Sequence, residues 1–219
     1  TGESLLMRLW RTKANAPCHE FAEGRSILQY RAFLLNLVVR NIRVKYRASI
    51  LGFAWPLLNP LVMLSILLVV FTHIVRIPIN HYWAFLVSGF FVWNYISQTL
   101  SYGAQVLEEH GGLVKNYSFP SEITVYGGTI SRLVEFGIEI FFVSLVLVIF
   151  HHGSVPLSLL LLPLLIFFQL LLTLGLTLIV ALFSVFYEDV RHMLPLVLTA
   201  LFYLSPVFYT IDLVPDLLR

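Results

Sequence analysis

The sequence predicts an all-α integral membrane protein, a polytopic helical bundle with an amphipathic interfacial helix at its N-terminal side. Three observations predict it. The 219 residues are 58% hydrophobic and only 12% charged, about half the charged share of a soluble domain. Charge-free runs are long: Ile50 to Val75 holds no Asp, Glu, Lys or Arg, and roughly 20 apolar residues cross a bilayer as a helix. Arg40, Arg43, Lys45 and Arg47 stand just before that run, where a basic cluster fixes the cytoplasmic side.

The net charge of +2 is too small to argue for a nucleic-acid partner, so the placement of the basic residues carries the information. Cys18 is the single cysteine. It excludes an intramolecular disulfide, no metal-ligand spacing surrounds it, and it reads as a silent thiol. Leu5 to Trp10 is too short for a signal-peptide core, and Arg8 interrupts it. The first span is therefore expected to act as its own insertion signal.

Taken in order, residues 1–27 are polar, with Pro17 and Gly24 as breakers, and read as a cytoplasmic lead. Residues 28–219 read as one membrane domain. Over 28–50, Leu34, Leu37, Val38, Ile42 and Val44 mark one side of a helix and Arg31, Arg40, Arg43 and Arg47 the other. That pattern suits a helix in the membrane interface with its basic groups toward anionic headgroups; enforcement of topology alone is the plainer reading. Five spans follow, at about 51–75, 83–107, 123–150, 157–185 and 193–208. Pro56 and Pro60 are expected to kink the start of the first, because each removes a backbone donor. The fifth is short and is expected to break at Pro206. Five spans leave the C-terminal end outside, and either the protein ends there or a sixth span follows residue 219. Lys115 and Arg132 flank the link between spans two and three, and Arg191 lies between four and five, whereas His151-His152-Gly153-Ser154 carries no lysine or arginine. The basic excess puts the N terminus and the links 108–122 and 186–192 in the cytoplasm.

No Gly-rich phosphate loop is present, so ATP hydrolysis is not expected on this chain. There is no His-Glu-x-x-His and no Cys-x-x-Cys, and neither a catalytic residue nor a metal site is expected. His151 and His152 are adjacent and face different ways, which suits a polar outer turn. Arg132, Glu135 and Glu139 fall on one helical face. Charges at membrane depth are costly unless paired or wet. Glu135 can pair with Arg132 one turn away, while Glu139 lies deeper. A structural ion pair or subunit contact, a wet substrate path and proton coupling all fit this set.

Aromatic residues make up 15% of the chain. Phe90, Phe91, Trp93 and Tyr95 lie in the second span, and Phe202, Tyr203, Phe208 and Tyr209 near the fifth. Such rings either stack on sugar faces along a sliding surface or serve as interface and packing residues. The link from Glu108 to Glu122 holds Gly111-Gly112 and then Leu113-Val114-Lys115-Asn116-Tyr117-Ser118-Phe119-Pro120. It reads as a short amphipathic helix that docks on a partner or lies on the membrane.

Four blocks carry a resemblance to a known family. They are Arg43-x-Lys45-Tyr46-Arg47-x-Ser49-x-Leu51-Gly52-x-x-Trp55-Pro56-x-x-Asn59-Pro60; Gly89-x-x-x-Trp93-Asn94-Tyr95; Leu113-Val114-Lys115 with Phe119-Pro120-x-Glu122-Ile123; and Phe186-Tyr187-Glu188-Asp189-x-Arg191 with Pro195, then Ser205-Pro206-Val207-x-Tyr209. In order and spacing they resemble the membrane subunit of type-2 ATP-binding-cassette exporters, in the branch that moves O-antigen, capsule and teichoic-acid chains. The resemblance implies ATP-driven export of a lipid-linked polysaccharide or polyol-phosphate polymer across the bacterial cytoplasmic membrane. It implies two copies of this chain, and two separate ATPase subunits that hold the ATP and Mg. Arg40, Arg43, Lys45, Tyr46 and Arg47 would form an interfacial gate near lipid headgroups. Leu113, Val114, Lys115, Asn116, Phe119, Pro120 and Glu122 would form a coupling helix, with Tyr187, Asp189 and Arg191 as a second ATPase contact. Phe90, Trp93, Tyr95, Tyr203 and Tyr209 would line the channel. An exporter of a drug or simple lipid is the alternative. A membrane glycosyltransferase would need an acidic site, for which Glu108-Glu109 and Glu188-Asp189 are unsupported candidates.

Overall fold

The computed structural model describes residues 31–46, 51–75, 82–109, 122–150, 161–207 and 209. All regular structure among them is helical, in the order α1 (Arg31–Tyr46), a 3₁₀ turn (Gly52–Ala54), α2 (Trp55–Val69) with a π-helical end (Val70–Ile74), α3 (Tyr82–Glu109), α4 (Glu122–Phe150), α5 (Leu162–Phe186) and α6 (Asp189–Leu204).

Gly52 sets the step from α1 to α2. Its φ of +48° lies in the left-handed region, which a glycine adopts without steric cost. The Ala54 amide then donates to the Leu51 carbonyl at 3.0 Å. Trp55 opens α2 and Pro56 sits in its first turn, where the missing N–H has no helical acceptor to satisfy. The helix stays α-helical past Pro60 to Val69. Pro56 thus marks the start of the helix, and Pro60 lies inside it.

α3 is the central helix and packs on α2, α4, α5 and α6, while α1 packs on α4. Its buried face supplies Tyr82, Leu86, Val87, Phe90, Phe91 and Tyr95 to the main core, met by Leu64 and Leu67 of α2, Phe136 of α4 and Phe202 of α6. In a bilayer, whose lipid tails are as apolar as these side chains, such packing stabilises through van der Waals contact rather than removal from water. Small polar residues fill the closer crossings. Thr99, Thr129, Thr177, Ser131 and Ser184 are buried, and each hydroxyl donates to a carbonyl one turn back in its own helix. The polar atom is satisfied locally, so the small side chain can be placed against a neighbouring helix.

Trp55–Ile74 and Leu162–Phe186 are each long and apolar enough to cross a membrane unaided. α3 and α4 carry more polar and charged residues, and those buried within the bundle are shielded by their neighbours. The last helix runs Asp189–Leu204, four residues earlier at each end than the expected 193–208. Asp189 occupies its first turn, where an acid suits the helix dipole. Ser205 takes the extended conformation at ψ 144°, as the residue before a proline does. The chain then folds back so that Val207 lies against Gly89 of α3, within 3.1 Å of where a β-carbon would stand.

Candidate functional site

α2, α3 and α6 converge on an open groove of about 340 Å³. Asn59, Pro60 and Met63 line it from α2, Phe90, Trp93, Asn94 and Ser97 from α3, and Leu198, Thr199, Phe202 and Tyr203 from α6. On α3 these are positions i, i+3, i+4 and i+7, one helical face. Phe202 is the hub of the rings, with centroids 6.4 Å from Phe90, 6.0 Å from Trp93 and 5.5 Å from Tyr203 in tilted or edge-on contacts. Phe202 is buried, and Tyr203 is 54% exposed.

The groove brings together Phe90, Trp93 and Tyr203 of the expected channel aromatics. Tyr95 is a correction. It lies two positions beyond Trp93, faces into the bundle, is 3% exposed and stacks on Phe136 at 4.9 Å. Tyr209 stands past the end of α6, its hydroxyl donating to the Leu204 carbonyl at 2.8 Å. Asn59, Asn94, Ser97 and Thr199 were not expected in the groove, although the spacing of Ser97 from Trp93 and of Thr199 from Tyr203, one helical turn each, carries the signal. Ring faces beside amides and hydroxyls that both donate and accept suit a ligand with alternating apolar and hydroxylated faces.

Next to Asn94 lies a second, polar pocket of about 10 Å³, room for roughly one water. Asn94, Tyr95 and Gln98 of α3 face Arg132, Glu135, Phe136 and Glu139 of α4 across it. Gln98 donates to the Asn94 side-chain oxygen at 3.0 Å, and Glu139 is 5% exposed. Glu135 does not rely on its own helix for a partner. Lys45 Nζ approaches its two carboxylate oxygens at 2.8 and 3.1 Å, and the Tyr46 hydroxyl donates at 2.7 Å. The Arg132 guanidinium lies 4.1 Å from the centroid of the Tyr102 ring. The partners that reach Glu135 therefore come from α1, where Arg132 was expected to serve.

Of the expected interfacial gate, Lys45 and Tyr46 reach Glu135 on α4, while Lys45 stays partly exposed. Burial, then the hydrogen bond to Glu135, pushes the Tyr46 phenol up, so it serves as a neutral donor. Arg40 and Arg43 remain exposed on α1. They line an open cavity of about 780 Å³ with Asn36, Val39, Ile42, Val44, Tyr46 and Gly52. Arg47 lies outside the described residues.

Of the expected ATPase contacts, Leu113, Val114, Lys115, Asn116, Phe119 and Pro120 lie outside the described residues. Glu122 opens α4. Tyr187 is exposed and extended between α5 and α6, and Asp189 is exposed in the first turn of α6. Arg191 turns inward instead. Its Nε donates to the Ala104 carbonyl at 3.2 Å and its Nη2 to the Ser184 carbonyl at 3.4 Å, tying α6 to α3 and α5. Among the described residues no three of His, Cys, Asp or Glu are grouped to hold a metal ion.

Residues 33–219 match the ABC-2 type transporter family. Over 194 residues the chain is 30% identical to the O-antigen export system permease protein RfbA of Myxococcus xanthus, covering 88% of this chain and 74% of that protein. It is 25% identical over 190 residues to a protein of the same name from Klebsiella pneumoniae, covering 84% and 73%.

Proposed function

Since the chain belongs to the ABC-2 type transporter family, we propose that it is the transmembrane subunit of an ATP-driven exporter moving a lipid-linked polysaccharide or polyol-phosphate polymer across the bacterial cytoplasmic membrane. The observation that carries the reading is the groove between α2, α3 and α6, where Phe90, Trp93, Phe202 and Tyr203 stand beside Asn59, Asn94, Ser97 and Thr199. Ring faces stack on the C–H faces of sugars, and amides and hydroxyls exchange hydrogen bonds with sugar hydroxyls. Neither contact needs one fixed sugar, so a chain can slide. The relatives named as O-antigen export permeases support the same reading. A drug or simple-lipid exporter is the competing use of the fold, and it leaves the groove's hydroxylated face without a purpose.

Two copies of the chain form the channel and two separate ATPase subunits drive it, with ATP and Mg held there. The N terminus and the 108–122 segment face the cytoplasm, and Leu113–Glu122 is the coupling element. Closure of the ATPase pair pushes this element and rocks the bundle around α3. Deleting the chain in its host tests the proposal. Lipid-linked polymer is expected to accumulate on the cytoplasmic leaflet and to vanish from the cell surface. Undiminished surface polymer overturns it. Substituting Leu113 and Phe119 is expected to release the ATPase subunit, and its continued co-purification with normal export overturns the coupling assignment.

A further inference from the structure

We infer that the polymer handled by this groove is an uncharged glycan and that phosphate-rich or uronic-acid polymers are discriminated against. The inference rests on the export reading above and deepens it. None of the described residues lining the groove carries a charge. A polyanion sliding past it would bring one negative group after another to a surface of rings, amides and hydroxyls, losing hydration without gaining a counter-charge.

Among the described residues, three cations of the bundle have partners outside the groove. Lys45 is held by Glu135 on α4. Arg132 lies over the Tyr102 ring and lines the neighbouring pocket, which also contains Glu135 and Glu139. Arg191 donates to the carbonyls of Ala104 and Ser184. Asn94 lines both the groove and that pocket. Arg40 and Arg43 are exposed on α1 and line a different cavity, so an anionic lipid anchor and an uncharged chain are not in conflict.

The test uses the complete exporter, permease with its ATPase subunits, in lipid nanodiscs. Ser97→Cys is placed in a Cys18→Ser background, and maleimide labelling at position 97 is timed in the presence of two probes. One is a neutral mannose oligosaccharide, the other a glycerol-phosphate oligomer of equal length. The neutral probe is expected to slow labelling at least tenfold more than the anionic one at equal concentration. Equal or stronger protection by the glycerol-phosphate oligomer overturns the inference and leaves polymer export standing. Protection by neither probe, with the ATPase active, overturns both. A second variant adds a positive check. Thr199 is exposed in the groove, so Thr199→Lys is expected to fold and to raise protection by the anionic probe about tenfold. No gain there overturns the electrostatic basis of the inference.

Discussion

Lys45 and Glu135, 90 positions apart in the chain, meet at 2.8 Å and tie the basic helix α1 to the membrane helix α4. The carboxylate side chain is 10% exposed and the lysine 43%. Removing one partner of a buried pair costs about 3–5 kcal/mol. Solvent reaches Lys45, which brings Lys45→Ala down to about 1–2 kcal/mol. Glu135→Ala is expected to do more damage to function than its stability loss accounts for, because it also frees Tyr46 and loosens α1. Exchanging the two, Lys45→Glu with Glu135→Lys, is expected to restore most of the export that either single reversal abolishes. Thermal unfolding in detergent and surface polymer in cells measure the two effects. A swap no better than its worse parent removes the tie.

Arg191 makes a separable prediction, because its contacts are to backbone carbonyls within the chain. Hydrogen bonds to a charged group contribute about 1.5–3 kcal/mol. Arg191→Ala is therefore expected to lower the thermal stability of the purified permease before any ATPase subunit is added, and to speed hydrogen exchange through Phe186–Asp189. Arg191→Lys can reach one carbonyl but not span both, so it should fall between. Unchanged stability together with lost ATPase binding would return this residue to the surface role its position in the sequence suggests.

The bundle was legible in the sequence because charge-free runs, prolines and basic clusters report membrane depth directly. α2 begins at Trp55-Pro56 and α6 ends before Pro206 for local reasons that any reader of the chain can see. The groove was half legible. Trp93 and Tyr203 announced it as aromatic, but Tyr95 belongs to the opposite face of α3, and only helical phase separates the two. What could not be read was the partner of Glu135. Sequence spacing favours Arg132 three positions away, whereas packing of α1 on α4 delivers Lys45 from 90 positions away. Contacts between distant segments depend on which helix faces touch, and several helices rich in apolar residues allow many pairings. Gly89 and Val207, from separate motif blocks, meet for the same unreadable reason.

Close helix crossings give a sharp glycine contrast. A β-carbon on Gly128 would stand 1.8 Å from Tyr102 Cε1, and one on Gly103 would stand 2.4 Å from Thr177 Cγ2 and 3.1 Å from its carbonyl oxygen. Gly128→Ala must displace the ring under Arg132, and Gly103→Ala must separate α3 from α5. Each is expected to cost about 1–3 kcal/mol as overpacking. Gly137 and Gly175 have nothing within 4 Å of that point. Alanine there should be neutral or stabilise by up to about 1 kcal/mol through helix propensity. Melting temperatures of the four variants should split into two pairs, and a fall at Gly137 or Gly175 as large as at Gly128 would contradict the packing.

Phe202 and Tyr203 adjoin in sequence but should fail in different ways. Phe202 is buried and touches Phe90, Trp93 and Tyr203, so Phe202→Ala opens a cavity costing about 3–5 kcal/mol and should lower the amount of folded protein. Tyr203 is 54% exposed, and Tyr203→Ala should leave the melting temperature within about 1 °C while slowing export. An aromatic contact contributes about 0.5–1.5 kcal/mol beyond its buried area, which is roughly a two- to tenfold drop in rate. Tyr203→Phe keeps the ring and should retain nearly all of the rate. Polymer appearance at the surface, normalised to permease abundance, separates the two residues. Loss of export in Tyr203→Phe equal to that in Tyr203→Ala would mean that the hydroxyl, and not the ring face, carries the contact.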